Sequence, residues 1–178
     1  PKPRAVVRPR TTEDVSASLR LCHREGVPVT TQGGMTGLVR GALPNANEIV
    51  LSMERMNSVE EVDASAGVAI AQAGTPLQKL QERVEQDGLM FPLDLGARGS
   101  CTIGGNISTN AGGNRVIRYG MTRDLVLGLE VVTADGTERP IDVLVVATGF
   151  FTTEQPIAEH IVGREGRTLA EVWRETGM

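Results

Sequence analysis

The chain has 178 residues, a net charge of −4 and 40% hydrophobic residues, which is enough for one domain with its own core. It contains no long basic run or basic stripe with interleaved aromatic residues, so nucleic-acid binding is not expected. The longest apolar run, near 143–151, is far shorter than the ~20 residues of a membrane-spanning helix, so no membrane span is expected. Cys22 and Cys101 form no disulfide framework, which favours a reducing, cytoplasmic location.

Short apolar strands alternate with helices in the first half of the chain. The predicted strands are Ala5–Val7, 27–30, 48–52, 59–62 and 67–73. A hydroxyl N-cap and two acids at 11–14 predict the start of a first helix, which Gly26 ends. A second helix is predicted from Thr75, with Pro76 at its first helical position, to Gly88. The chain therefore opens as a β-α-β unit.

The second half begins with an extended stretch at 89–95. The further predicted elements are a strand over 125–133, a turn at 134–136, a strand over 141–147 and a helix over 167–175. The two early helices are well separated and the strands are short. This mixture predicts an α+β fold rather than a doubly wound sheet.

A first glycine-rich segment, Gln-Gly-Gly-Met-Thr-Gly at 32–37, directly follows a predicted strand. Successive backbone N–H groups in such a turn can form an anion nest, and glycine lets phosphate oxygens approach closely. The lysine of a Walker loop is missing, and the spacing is not that of the dinucleotide fingerprint GxGxxG. Taken alone, the segment is explained equally well as an ordinary tight turn.

A second stretch, at 99–113, is rich in Gly, Asn, Ser and Thr. Its backbone groups need hydrogen-bond partners, and a bound polar ligand would supply many of them. Two such loops, about 70 residues apart, suit a ligand that carries a diphosphate and sugar hydroxyls. The alternative is a glycine-rich structural crossover with no ligand.

These motifs resemble a known family. Residues 1–138 are similar to the FAD-binding domain of the vanillyl-alcohol-oxidase (PCMH) type of FAD-linked oxidases, and in particular of D-2-hydroxyglutarate dehydrogenase-like proteins. The motifs that carry the resemblance are QGGMTGL, LSMERMNSVEEVD, MFPLDLGARGSCTIGGNISTNAGG, and RYG followed by VLGLEVVTADGT. The resemblance implies two α+β subdomains with FAD between them.

The resemblance also implies which residues hold the cofactor. The segment at 31–37 would hold the pyrophosphate, and the second stretch would face the ribityl chain and the isoalloxazine. The implied cofactor-binding residues are Gln32, Gly33, Gly34, Met35, Thr36, Gly37, Pro92, Gly99, Ser100, Ile103, Gly104, Gly105, Asn106, Thr109, Asn110 and Gly112.

Some relatives attach flavin through His or Cys. Here His23 lies in the first predicted helix and is expected at the surface. Cys101 matches a position that the hydroxyglutarate subgroup fills with Cys without a known attachment, so the resemblance implies non-covalent FAD. His23 and His160 are far apart and unaccompanied, so no metal site is predicted, and no residue is assigned a catalytic role.

Residues 139–178 depart from the family pattern and are expected to form an appended tail with a strand and a helix. Gly163–Gly166 could be a degraded version of the GSEGTLG-like motif that closes the flavin site in the family. Alternatively, the tail resembles Baeyer–Villiger flavin monooxygenases, which carry a DVLVxATGF strand followed by a GRxGRTLAExW segment. The second interpretation is favoured because both of its parts occur here in order.

The resemblance implies the cofactor module of a flavin-dependent oxidoreductase acting on a D-2-hydroxyacid of the 2-hydroxyglutarate, lactate or glycolate class. Flavin N5 would accept hydride, and an electron acceptor would reoxidise it. The family's substrate domain is not in this sequence, so substrate turnover is expected only with a separate substrate domain or subunit. Two alternatives stay open: a non-catalytic FAD-binding fragment or split subunit, and a flavin monooxygenase remnant.

Overall fold

The computed structural model describes residues 2–141. The helix predicted over 167–175, and all but the first residue of the strand predicted over 141–147, lie outside this range. The elements within it are β1 Ala5–Val7, α1 Thr12–Arg24, β2 Val29–Gln32, β3 Ile49–Ser52, β4 Val59–Asp63, β5 Val68–Ala71, α2 Leu77–Glu85, α3 Ile103–Ser108, α4 Val116–Tyr119, β6 Leu129–Val132 and β7 Glu138–Ile141.

The first sheet is parallel, with the strand order β1-β3-β2. Its central strand β3 is apolar and buried, with Val50 1% and Leu51 2% exposed. Helix α1 connects β1 to β2 and begins where the sequence predicts, because the Thr11 hydroxyl accepts a hydrogen bond of 3.2 Å from the Asp14 N–H. The predicted β-α-β opening is confirmed.

Strands β4 and β5 form an antiparallel hairpin against which α2 packs. The prediction that Pro76 is the first helical residue is wrong. Pro76 is the N-cap, with an extended backbone at φ −60° and ψ 139°, and the helix begins at Leu77. The extended conformation lets Pro76 pair with Thr102 in an isolated bridge, while the Leu77 N–H donates to the Cys101 carbonyl at 3.0 Å.

The last hairpin pairs β6 with β7 around the turn predicted at 134–136. The strand predicted over 125–133 is too long, because only Leu129–Val132 is extended in a sheet. Residues Thr122–Leu125 form a 3-10 turn instead. The Asp124 carboxylate stabilises this turn by accepting a hydrogen bond of 2.7 Å from the Met121 N–H.

Two apolar cores correspond to the two predicted subdomains. One lies between α1 and the parallel sheet, and its buried members are Val15, Leu51, Met53 and Met56. The other lies under α2, and its buried members are Leu77, Leu80, Val84, Leu93, Cys101 and Ile103. The predicted α+β class with two subdomains is therefore confirmed, and the glycine-rich segments lie at the ends of elements from both.

Candidate functional site

The two glycine-rich segments, separated by about 70 residues in sequence, touch each other. A Cβ built on Gly34 would lie 1.8 Å from the Ser100 carbonyl oxygen, and one built on Gly33 would lie 2.3 Å from the Thr102 hydroxyl oxygen. Any side chain at Gly34 would therefore overlap the backbone of the second segment. Glycine is required here because the protein packs against itself.

The first segment continues beyond the predicted residues as a loop over 33–42. The Gln32 side chain closes this loop by donating from Nε2 to the Ala42 carbonyl at 2.8 Å. Met35 and Arg40 have positive φ angles of 56° and 60°, which fold the loop tightly. Within residues 2–141, no backbone N–H from 33 to 42 donates a hydrogen bond to the protein. The loop therefore offers a series of free N–H donors, the arrangement that binds anions.

The sequence predicts that the second segment is a loop that needs a ligand to satisfy its backbone hydrogen bonds, and the structure differs. Its middle forms helix α3, which the Thr102 hydroxyl caps by accepting from the Gly105 N–H. Gly104 fits tightly against Ala73, to whose carbonyl its N–H donates at 2.8 Å. The protein itself therefore supplies partners for much of this backbone, and glycine at 104 serves packing.

Two of the predicted residues on α3 face the interior. Ile103 is 9% exposed and belongs to the core under α2, whereas Asn106 is 3% exposed. Burial raises the pKa of the neighbouring Cys101 thiol, and the Asn106 side chain acts in the opposite direction. Within the described residues, however, Asn106 Nδ2 makes no hydrogen bond of ordinary geometry. Asn106 therefore retains a buried donor without a partner.

The end of the second segment is held by side chains. The Thr109 hydroxyl donates to the Gly105 carbonyl at 2.9 Å. The Asn110 side chain contacts Met121 and Arg123, and Gly112 packs against Val116. Of the other predicted residues, Gly99 and Ser100 are exposed in the turn before α3, and Pro92 is buried beside the core residue Leu93.

The sequence reasoning missed two features of this region. It did not extend the first loop to Ala42, although the Gly41 that precedes Ala42 was a signal for a longer turn. It also did not single out Thr102, although a hydroxyl residue before a short apolar and glycine run is typical of an N-cap.

A separate cavity of about 500 Å³ lies beside α4, and it is lined by Met90, Asn114, Arg115, Ile117, Arg118 and Tyr119.

A family model described as an FAD binding domain matches residues 3–141. The chain belongs to this family of FAD-binding domains. The family match therefore covers all but the first of the described residues, including both glycine-rich segments. The predicted PCMH-type family is confirmed, and membership implies FAD as the cofactor.

Curated relatives support the same assignment. The FAD-binding domain is 53% identical over 134 residues to the mitochondrial D-2-hydroxyglutarate dehydrogenase of Bos taurus, covering 75% of this chain and 25% of that protein. It is 47% identical over 136 residues to D-2-hydroxyglutarate dehydrogenase of Xanthomonas citri pv. viticola, covering 76% of this chain and 29% of that protein. The chain thus spans about a quarter of the length of these relatives.

Solved structures share the fold. The structure of an alkyldihydroxyacetonephosphate synthase superposes with a TM-score of 0.69 and 26% identity, covering 76% of this chain and 25% of the synthase chain.

Among residues 2–141 of the FAD-binding domain, no group of three His, Cys, Asp or Glu residues is placed to hold a metal ion. No helix in the same range is long and apolar enough to cross a membrane.

Proposed function

We propose that the chain binds FAD non-covalently and that the loop over 33–42 holds the pyrophosphate. The observation that carries this proposal is the series of backbone N–H groups in the loop with no partner within residues 2–141. A diphosphate is an anion that accepts several such hydrogen bonds at once. Gly37 supports the assignment, because no atom of residues 2–141 lies within 4 Å of the position of its missing Cβ.

The second segment fits a cofactor in a more limited way. Gly99 and Ser100 are exposed beside the loop, so their polar groups are accessible to a ligand. Asn106 Nδ2 is a buried donor without a partner, and such a group is stabilised when a ligand atom accepts from it. We assign these three residues to the cofactor site, and the rest of the segment supports them.

The environments of two nucleophilic side chains support the proposed non-covalent attachment. Cys101 is 4% exposed, and burial raises the pKa of its thiol, so little reactive thiolate forms. His23 is exposed on α1, outside both glycine-rich segments. His160 lies outside the described residues. Neither Cys101 nor His23 is suited to form a bond to the flavin.

We further propose that the chain is the cofactor module of an oxidoreductase acting on a D-2-hydroxyacid. Bound FAD would supply a hydride acceptor, and the chain's own contribution is to bind and orient it. The names of relatives at 53% and 47% identity support 2-hydroxyglutarate as a first substrate to test. Reoxidation requires an electron acceptor.

A second candidate function is a non-catalytic FAD carrier, or one subunit of a split enzyme with a separate substrate subunit. The bleaching test below distinguishes it from the oxidoreductase. The monooxygenase interpretation depends on residues 139–178, of which 142–178 lie outside the described range. It stays a prediction, as do the domain boundary at 138 and a cytoplasmic location.

The test is to add FAD to the purified chain, remove free cofactor by gel filtration and record the visible spectrum. Retained flavin bands, with all flavin released by acid precipitation, would support non-covalent binding. Flavin that stays in the precipitate would contradict the non-covalent assignment, and colourless protein would contradict FAD binding. Anaerobic bleaching by D-2-hydroxyglutarate or D-lactate would support the oxidoreductase. A coloured protein that neither substrate bleaches would favour the carrier or split subunit.

A further inference from the structure

The turn over 121–124 lies against the end of the second glycine-rich segment. Asp124 closes this turn on itself through the Met121 N–H. A second set of hydrogen bonds, made by Asn110 and by Thr122, joins the turn to residues 110–111. We call this connection the 110–122 clamp. It fixes the chain just where α3 ends.

Asn110 contributes both ends of its side chain to the clamp. Its Oδ1 accepts from the Arg123 N–H at 3.1 Å, and its Nδ2 donates to the Met121 sulfur at 3.5 Å. Its backbone has a φ of +47°, a left-handed conformation that Asn tolerates better than most residues. These two hydrogen bonds hold the Asn110 side chain against the turn over 121–124.

Thr122 forms the buried part of the clamp. It is 1% exposed, its hydroxyl donates to the Ala111 carbonyl at 2.6 Å, and its N–H donates to the same oxygen at 3.0 Å. The Ala111 N–H in turn donates to the Asn106 carbonyl at 2.9 Å. Thr122 is therefore connected through one residue to the helix that carries the unpartnered Asn106 amide.

We infer that Thr122 and Asn110 are positioning residues, which hold residues 106–112 in the geometry that binds the cofactor. Thr122 is 1% exposed and acts without contacting FAD itself. This inference rests on the proposed FAD site, and the direct contact of Asn110 with the cofactor stays a prediction. It also assigns a role to Thr122, which lies outside the glycine-rich motif.

The experiment compares three variants of the full chain. Thr122→Val removes the hydroxyl at nearly constant volume, and Thr122→Ser keeps it. Ser16→Ala is the matched control, because Ser16 is 2% exposed and its hydroxyl donates to the Gly136 carbonyl, away from the glycine-rich segments. Three quantities are measured: the Kd for FAD, the visible circular dichroism of bound FAD, and amide hydrogen exchange of the 106–113 region without FAD.

Thr122→Val is expected to weaken FAD binding by about tenfold, change the dichroism and speed exchange at 106–113 by about fivefold or more. Thr122→Ser should keep all three quantities at their wild-type values, and so should the control Ser16→Ala. Unchanged exchange and dichroism in Thr122→Val would overturn the inference, as would equal effects in Ser16→Ala. Failure of the wild-type chain to bind FAD would contradict the proposed function, while the exchange data would still decide on the clamp.

Discussion

Replacing Gly34 by Ala tests whether the contact between the two glycine-rich segments builds the cofactor site. The added Cβ would lie 1.8 Å from the Ser100 oxygen and 2.7 Å from the Ser100 carbonyl carbon, whereas real Cβ contacts begin near 3.0 Å. The segments must therefore separate by about 1.2 Å. Because both partners are backbone, no side chain can rotate away to relieve the overlap.

The size of the effect follows from that displacement. Overpacking of this kind costs about 1–3 kcal/mol of unfolding free energy. A shift of about 1 Å also carries an N–H group at ~2.9 Å from a phosphate oxygen out of hydrogen-bonding range. Each hydrogen bond to a charged group contributes about 1.5–3 kcal/mol. Loss of one or two of them should raise the Kd for FAD by about 100-fold.

Isothermal titration with FAD measures the affinity, and urea unfolding of the cofactor-free protein measures the stability. Gly96→Ala is the control, because no atom of the described part of the chain lies within 4 Å of the position of its Cβ and its φ is not positive. It should leave both quantities near the wild-type values. If Gly34→Ala binds FAD and unfolds like wild type, the contact with Ser100 is not what positions the loop, and the reasoning is refuted.

Three further substitutions test separate parts of the structure. Hydrogen bonds from the Thr133 hydroxyl and the Thr137 N–H lower the pKa of Asp135 to about 2. The ionised Asp135 carboxylate therefore stabilises the folded state above pH ~4, and this stabilisation is lost as the pH falls through about 2. Asp135→Asn should therefore make the free energy of unfolding, measured with urea, less dependent on pH between about 2 and 4. Asn106→Leu should raise the unfolding free energy by about 1 kcal/mol, since a buried unpaired amide is removed, while FAD affinity in titrations falls about tenfold. Gly37→Ala should leave the melting temperature unchanged but weaken FAD binding by at least about fivefold, and equal affinity would show that no cofactor atom approaches Gly37.

Local signals in the sequence predict much of the fold. The N-cap at Thr11 and the end at Gly26 delimit α1, and the apolar run around Val50 becomes the buried central strand. The boundaries that were wrong depend on distant residues. Pro76 stays outside α2 because it pairs with Thr102, which lies 26 positions later in the sequence. Such a pairing leaves no trace in the residues next to Pro76.

The candidate site was harder to predict than its family. The motif composition indicates the family, but two adjacent glycines disfavour a helix, so α3 was not expected. It forms because Thr102 caps it and because Gly104 packs against Ala73, a contact between different elements. The contact of Gly34 with Ser100 is likewise tertiary. Family resemblance therefore located the region, while the division of roles among its residues depends on tertiary contacts.

Five glycines of the two segments illustrate two different physical reasons for the absence of a side chain. At Gly34, Gly104 and Gly113 a Cβ would overlap protein backbone, so glycine there stabilises the fold whether or not a ligand binds. At Gly37 and Gly41 no atom of residues 2–141 lies near the position of a Cβ, so contacts within this range do not explain why glycine occurs there. A ligand that comes close to the backbone is a cause that fits both positions. For this reason the loop over 33–42, more than the longer second motif, is where we expect the pyrophosphate to be bound.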